Sequence, residues 1–327
     1  MMPTVSEELS AVSRELPTLD NRWIVERRGP REQVDPRRPY AFHVEPERTA
    51  DGKVEQVATI FITNRECPFR CLMCDLWKYT TIDRVEVGAV AHQIESALSE
   101  LEPARHVKLY NSGNFFDSQA IPPDDLPRIA RLVAGFETVI VECHPRLIDR
   151  RCVDFAESLR PALEVAMGLE TVDPDVLPRL NKRMTLSDYE RAARFLLDHD
   201  ITVRAFILLR TPFQSEQQGI EWAKRSIDYA FSIGVECCAV VPTRAGNGAL
   251  DWLRQRGLFT PPSLVSMEVV LEYGIGLARG RVFMDTWDIE RFVDCPHCGS
   301  RRAERLGKMN LLQRVEDPIT CSCATAP

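Results

Sequence analysis

The stretch VATIFITNRECPFRCLMCDLWKYTT, from Val57 to Thr81, decides how the chain is read. It opens on an apolar run, Val57–Thr63, with the length of a buried strand. A turn follows, and Cys67, Cys71 and Cys74 then fall within eight residues. Three thiolates on one loop can wrap one face of a cubane iron–sulfur cluster, ligating three irons and leaving the fourth open. An open metal position suits a ligand or a reaction. A structural zinc site normally takes four closed ligands, and Asp75, next to Cys74, is a weak candidate for the fourth. Three unligated buried cysteines are the plainer alternative, but the loop directly follows a strand, which speaks against it.

Outward from this loop, short apolar runs alternate with helix-period segments. Strands are predicted at His106–Ser112, Thr138–Cys143, Leu163–Leu169, Thr202–Leu209 and Glu236–Val241. Helices are predicted at Val87–Leu101, Leu126–Phe136, Arg150–Leu159, Leu186–Asp198 and Gln217–Ile233. Tyr189, Ala192, Ala193, Leu196 and Leu197 share one helical face. Near-continuous apolar strands are those of a parallel sheet buried on both faces. Six strand–helix repeats predict an α/β fold, a partial (β/α)6 TIM barrel spanning residues 57–279. A further helix over Leu264–Ala278 and a strand within Gly280–Asp288 are expected. Residues 1–56, rich in Pro and Arg without a sustained hydrophobic period, read as an amino-terminal arm. Residues 280–327 read as a small carboxyl-terminal extension with its own cysteines.

The chain has 327 residues, 44% hydrophobic and 27% charged, an ordinary globular composition. Its net charge of −7 does not advertise a nucleic-acid footprint. No secretory signal or membrane span is legible, so a cytoplasmic location and no membrane partner are expected. In that compartment 11 cysteines read as metal ligands or catalytic groups and not as disulfides.

The remaining strand ends carry polar residues where a parallel barrel collects its chemistry. KLYNSGNFFD places Ser112, Gly113 and Asn114 after the second strand. VIVECHP places Glu142 after the third, and MGLETVDPDVLPRLNKR places Glu170 after the fourth with Lys182 beyond. CCAVVPTRAGNG places Val240 and Val241 at the sixth. Cys143, Cys152, Cys237 and Cys238 sit in apolar runs and read as core. Near the end, DCPHCG and CSC bring Cys295, Cys298, Cys321 and Cys323 into a second constellation, fit for zinc or for an auxiliary [4Fe–4S] cluster.

The loop Cys67-x3-Cys71-x2-Cys74 resembles the signature of the radical S-adenosylmethionine (SAM) superfamily, with Met73 where an aromatic residue is frequent. The order of the later strand-end residues resembles the elongator-type and coproporphyrinogen dehydrogenase branches. KLYNSGNFFD, MGLET and PTRAGNGALDWLRQRGLFTPP resemble the group that includes the radical SAM subunit of archaeosine synthase. The resemblance covers roughly Val57 to Ala278. It implies a [4Fe–4S] cluster on Cys67, Cys71 and Cys74, SAM on its open iron, and reductive cleavage to a 5′-deoxyadenosyl radical. It implies SAM contacts from the Ser112–Asn114 backbone, Glu142, Glu170 and Lys182. Arg210–Gln214, Val240 and Val241 would cradle adenine. It also implies an electron donor such as flavodoxin or ferredoxin. Two substrate classes follow, a tRNA base of the deazaguanine type or a small molecule, with Arg244, Asn247, Asp285, Trp287 and Asp288 as candidate contacts. A non-catalytic zinc-binding protein on a degenerate barrel is the alternative of a different class.

Overall fold

Lys108, Glu164 and Arg204 each interrupt an apolar run, and together they show which way the sheet faces. The computed structural model describes residues 17–324. Its sheet has eight strands in sequential order. They are β1 (Ala41–Arg48), β2 (Val54–Phe61), β3 (His106–Tyr110), β4 (Thr138–Glu142), β5 (Ala162–Glu170), β6 (Thr202–Leu209), β7 (Cys237–Pro242) and β8 (Arg281–Met284). β2 to β8 run parallel, and β1 pairs antiparallel with β2. The predicted parallel strands are all present, and β8 adds the strand expected after Gly280.

Helices α1 (Asn21–Val25), α2 (Ala89–Glu100), α3 (Leu126–Leu132), α4 (Arg150–Ser158), α5 (Leu186–Leu197), α6 (Glu216–Ser232), α7 (Ala249–Arg254), α8 (Leu264–Gly276) and α9 (Gly299–Leu312) account for the α elements of the described residues. Local sequence sets the helix starts: Thr185 with Asp188 and Ser215 with Gln218 form reciprocal capping boxes on α5 and α6. Alternate strand residues, such as Val107, Leu109, Val139, Val141, Val203 and Ala205, join the helices in one core.

The alternate residues face inward and are charged near the strand starts. Lys108 Nζ lies 2.5 Å from Glu47, and Arg204 lies 2.8 Å from Glu47 and 2.5 Å from Glu164. Arg281 extends the chain to Glu164 at 3.3 Å. This lattice ties β1, β3, β5, β6 and β8 across the inner face. Burial pushes the Glu47 carboxyl up, but Arg204 and Lys108 outweigh it and hold it well below the usual range. Arg281 also donates to the Arg48 carbonyl at 3.2 Å, so the curled sheet brings its two edge strands together.

The expected arm therefore contains β1. The segment AFHVEPER shows no apolar run because its inward residues are His43, Glu45 and Glu47, while Phe42 and Val44 pack on the core. The first sixteen residues of that arm lie outside the described residues.

Glu164→Ala strands Arg204 and Arg281 without their shared buried carboxylate. It is expected to lower the unfolding free energy by about 3–5 kcal/mol, read as a lower urea midpoint. Glu45→Gln, at the exposed end of the lattice, is expected to cost less than about 1 kcal/mol.

Candidate active site

The cysteine loop is held by backbone contacts from distant parts of the chain. β2 is prolonged by Ile62 N–H donating to Tyr110 O at 2.7 Å, and the loop then leaves the sheet. Leu72 N–H donates to Leu180 O at 2.8 Å. Asn181 Nδ2 donates to Arg70 O at 2.7 Å. Asn247 Nδ2 donates to Leu72 O at 2.8 Å and to Cys74 O at 3.3 Å, while its Oδ1 accepts Leu250 N–H at 2.7 Å. Asn247 is buried. The structure thus corrects its expected role: it fastens the loop to the start of α7 instead of presenting an amide to substrate.

The Ser112–Asn114 turn lies against this loop. Ser112 adopts a left-handed backbone, φ 52°, at the end of β3. Gly113 suits this close approach: a Cβ there would stand 3.3 Å from Cys67 Cβ, tighter than an ordinary contact. Asn114 Nδ2 donates to Cys67 Sγ at 3.1 Å, and its Oδ1 accepts His144 N–H at 2.6 Å. The Asn114 side chain is therefore committed to the cysteine loop and to the segment after β4.

Glu142 ends β4, and its Oε1 accepts Asn111 N–H at 2.8 Å. Burial raises its carboxyl to about 7, against the pull of the Asn111 and Ser112 N–H groups and Lys182. Glu170 ends β5 at φ 65°, after an irregularity in the pairing with β6. Lys182 stands between two left-handed residues, Asn181 and Arg183, and reaches Glu170 Oε1 at 2.5 Å. Both side chains are buried. Gly168 leaves the room for them, since a Cβ there would land on Glu170 Oε1 and Lys182 Nζ. Burial lowers the ammonium's affinity for its proton, but Glu170 and the Cys71 and Cys67 sulfurs more than restore it. The strand ends that carry Asn114, Glu170 and Lys182 thus lie around the cysteine loop.

One group was missed. His144 stacks on Phe69 of the loop, ring centroids 3.7 Å apart. Its Nδ1 accepts Arg146 N–H at 3.1 Å, so Nε2 carries the proton and donates to Lys182 O at 3.0 Å. Burial and Lys182 lower its pKa to about 3, keeping the ring neutral. Its signal was a second polar residue two places after Glu142. One expected pair divides: Val240 packs into the helix-side core, whereas Val241 faces inward beside Met73, Val176, Leu180 and Leu208. The apolar run Cys237–Val241 hid that alternation.

Residues 61–224 match the family model described as the Radical SAM superfamily. The chain belongs to this superfamily. It is 28% identical over 282 residues to archaeosine synthase subunit beta of Methanosarcina acetivorans, covering 77% of each chain. It is 28% identical over 217 residues to archaeosine synthase subunit beta of Thermococcus kodakarensis, covering 62% of this chain and 65% of that one. Among solved structures, an amino-terminally truncated Elp3 from Methanocaldococcus infernus superposes with a TM-score of 0.50 at 16% identity. That match covers 68% of this chain and 59% of Elp3, a likeness of fold.

Membership makes the chain a radical SAM enzyme and implies a [4Fe–4S] cluster and SAM. The donor set fits both. Burial pushes the Cys71 thiol up to about 12 and raises Cys67 and Cys74, so cations must displace their protons on binding. A buried ammonium and two carboxyl groups stand on the same side, as a zwitterionic ligand requires. Beneath them the radical SAM barrel is aromatic: Tyr110 lies 6.2 Å from both Phe61 and Phe206, centroid to centroid. Those three rings, with Ala239 and Val241, keep part of their surface open on the inner face. Trp287 is exposed and stacks on His43 at 5.8 Å. Arg244 pairs with Asp285, and Asp288 lies exposed beside Arg291.

At the other end of the chain, Cys295, Cys298, Cys321 and Cys323 come together, their sulfurs all within 4.8 Å of one another. Backbone N–H groups of His297 and Cys298 hold the Cys295 thiol down to about 6.

Glu142 gives a pH signature. Its folded pKa near 7 lies above its ordinary value of 4.5, so its contribution to stability is complete below pH 4.5 and is lost as the pH rises through 7. Glu142→Gln is expected to match the parent near pH 4 and to exceed it at pH 8 by about 3 kcal/mol, measured by urea denaturation of the metal-free protein.

Proposed function

We propose that this enzyme binds SAM at a [4Fe–4S] cluster on Cys67, Cys71 and Cys74 and abstracts hydrogen from a base in tRNA. The observation that carries the SAM part is the convergence of Asn114, Glu170 and Lys182 on one cysteine loop. When bound, such a cluster supplies the electron that splits SAM into methionine and a 5′-deoxyadenosyl radical. The chain's own residues prepare that step. Asn181 and Asn247 fix the loop backbone, so three thiols are preorganised for one cluster. Lys182 offers a buried positive charge for the ligand carboxylate, and Glu170 and Glu142 offer acceptors for its amino and ribose groups. Asn114 donates to Cys67 Sγ, and such a bond at a cluster sulfur shifts its potential. Val241 gives an apolar wall on the side where adenine is expected.

The tRNA part draws on the two archaeosine synthase relatives and on the aromatic inner face. Phe61, Tyr110 and Phe206 suit a planar heterocycle splayed out of its stack. Trp287 and His43 form a second stacking surface at the rim, beside Arg244 and Asp285. For an acidic, low-potential donor such as flavodoxin, the cleft by Pro68 offers Arg31, Arg65 and Arg70 beside the cysteine loop, with Arg31 and Arg70 sharing Glu66 and with Asp117 also in its lining. No helix of the described residues is long and apolar enough to cross a membrane, and a cytoplasmic setting suits these partners.

The anaerobically reconstituted protein, reduced and given SAM, is expected to release 5′-deoxyadenosine. Cys71→Ala is expected to abolish that release and most of the iron, and Lys182→Met is expected to weaken SAM binding at least about tenfold, roughly 1.4 kcal/mol. Release without iron would contradict the assignment. In a filter assay, tRNA is expected to bind at low salt and to dissociate as salt rises. Absence of binding even at low salt would remove the tRNA reading and favour a small-molecule substrate.

A further inference from the structure

The carboxyl-terminal sulfurs lie too close together for a cubane. Cys295 and Cys321 Sγ are 3.9 Å apart, Cys298 and Cys323 Sγ are 3.3 Å apart, and all four fall within 4.8 Å. A tetrahedron with zinc–sulfur bonds of about 2.3 Å has edges of about 3.8 Å. Cysteines on a [4Fe–4S] cluster each sit on a different iron, which spreads their sulfurs to about 6 Å. The contrast exists within the molecule: among the described residues, the close groups do not include Cys67, Cys71 and Cys74.

We propose that Cys295, Cys298, Cys321 and Cys323 hold one tetrahedral zinc ion, and that this ion locks the helix that closes the barrel. Helix α9 begins at this site, with Cys298 as its N-cap. Arg302, one turn on, donates Nε to Cys298 Sγ at 3.3 Å and balances charge on a tetrathiolate centre. Its guanidinium also pairs with Glu268 of α8 and donates to Ile319 O at 2.9 Å. Arg305 binds Glu268 at 3.1 Å, Glu272 at 2.7 Å and the Asp317 carbonyl at 2.7 Å. The returning tail is thereby laid back along α9 to bring Cys321 and Cys323 to the first pair.

The far end of α9 covers the open edge of the sheet. Asn310 accepts Met284 N–H at 2.9 Å and donates to Met284 O at 2.8 Å. Gln313 does the same for Val282, at 2.9 and 2.8 Å. Two side-chain amides therefore stand in for a ninth strand on the edge of β8, where unpaired backbone groups would otherwise invite pairing with another chain. Leu306 and Met309 enter the main core, and α9 packs against both β8 and β1. A metal at its start holds this stave in place.

The test uses the full chain with Cys67, Cys71 and Cys74 all changed to Ala, which removes the barrel cluster from the count. Elemental analysis is expected to give one zinc per chain and no iron or sulfide. Cobalt(II) in place of zinc is expected to show the intense visible bands of a tetrahedral thiolate site. Iron at this site, or no bound metal after zinc is supplied, would overturn the proposal. Cys323→Ser alters an exposed ligand and spares the core. It is expected to weaken zinc at least about a hundredfold and to speed amide exchange at Val282 and Met284 at least about tenfold. Unchanged exchange in a zinc-free Cys323→Ser protein would overturn the locking role. The proposal rests on the tail thiols alone, so its failure and that of the SAM assignment are separable.

Discussion

Asn247 reaches back across 175 positions of chain to hold the carbonyl of Leu72. That bond, with Asn181 on Arg70 and Leu180 on Leu72, answers the constraint on which the site depends. Three thiols spaced along eight residues have no intrinsic reason to face one way. The loop between them has no helix or strand to set its course beyond a short turn after Asp75. Its carbonyls must be held from outside, and the donors come from the loops after β5 and β7. The loop after β5 also carries Lys182, and Val241 stands at the end of β7, just before the loop that carries Asn247. The groups that orient the thiols and the groups proposed to meet SAM thus belong to the same segments, and neither can be placed without the other.

Charge is distributed along the inner face in two layers with different tasks. Near the strand starts, Lys108, Arg204 and Arg281 are matched by three acids, Glu47, Glu164 and Glu236. At the strand ends the pairing is thinner. Glu170 and Lys182 have each other, while Glu142 has only backbone donors and an elevated pKa. Between the layers lie Phe61, Tyr110 and Phe206. The sheet is closed at its base by ions, at its sides by helices, and toward β1 and β8 by α9. Only the rim of the strand ends is left to chemistry, as in other parallel barrels.

Much of this was legible because parallel strands buried on both faces announce themselves as apolar runs. β3 to β7 read that way even with Lys108, Glu164 and Arg204 inside them. β1 was not legible, since its inward residues are His43 and two acids, Glu45 and Glu47, whose cationic partners lie on β3 and β6, and Pro46 breaks its pattern. Lys182 and Glu170 could be placed by order along the chain, but Gly168, which makes their meeting possible, gives no sign in one sequence. Val240 and Val241 show the limit of a run: both are apolar, and only the alternation of β7 tells which faces the cavity. Asn247 had the chemistry of a substrate contact and the location of one; its burial against Leu72 and Leu250 assigns it elsewhere.

The central claim is that the loop of Cys67, Cys71 and Cys74 carries a cluster whose open iron meets SAM beside Lys182 and Glu170. Electron–nuclear double resonance on the reduced, reconstituted protein with SAM labelled by 15N at its amino group tests this most directly. The account predicts a cubane signal that changes on SAM addition and acquires a 15N coupling, which Lys182→Met weakens. A cluster signal indifferent to SAM, or one that persists when Cys67, Cys71 and Cys74 are removed, would contradict it.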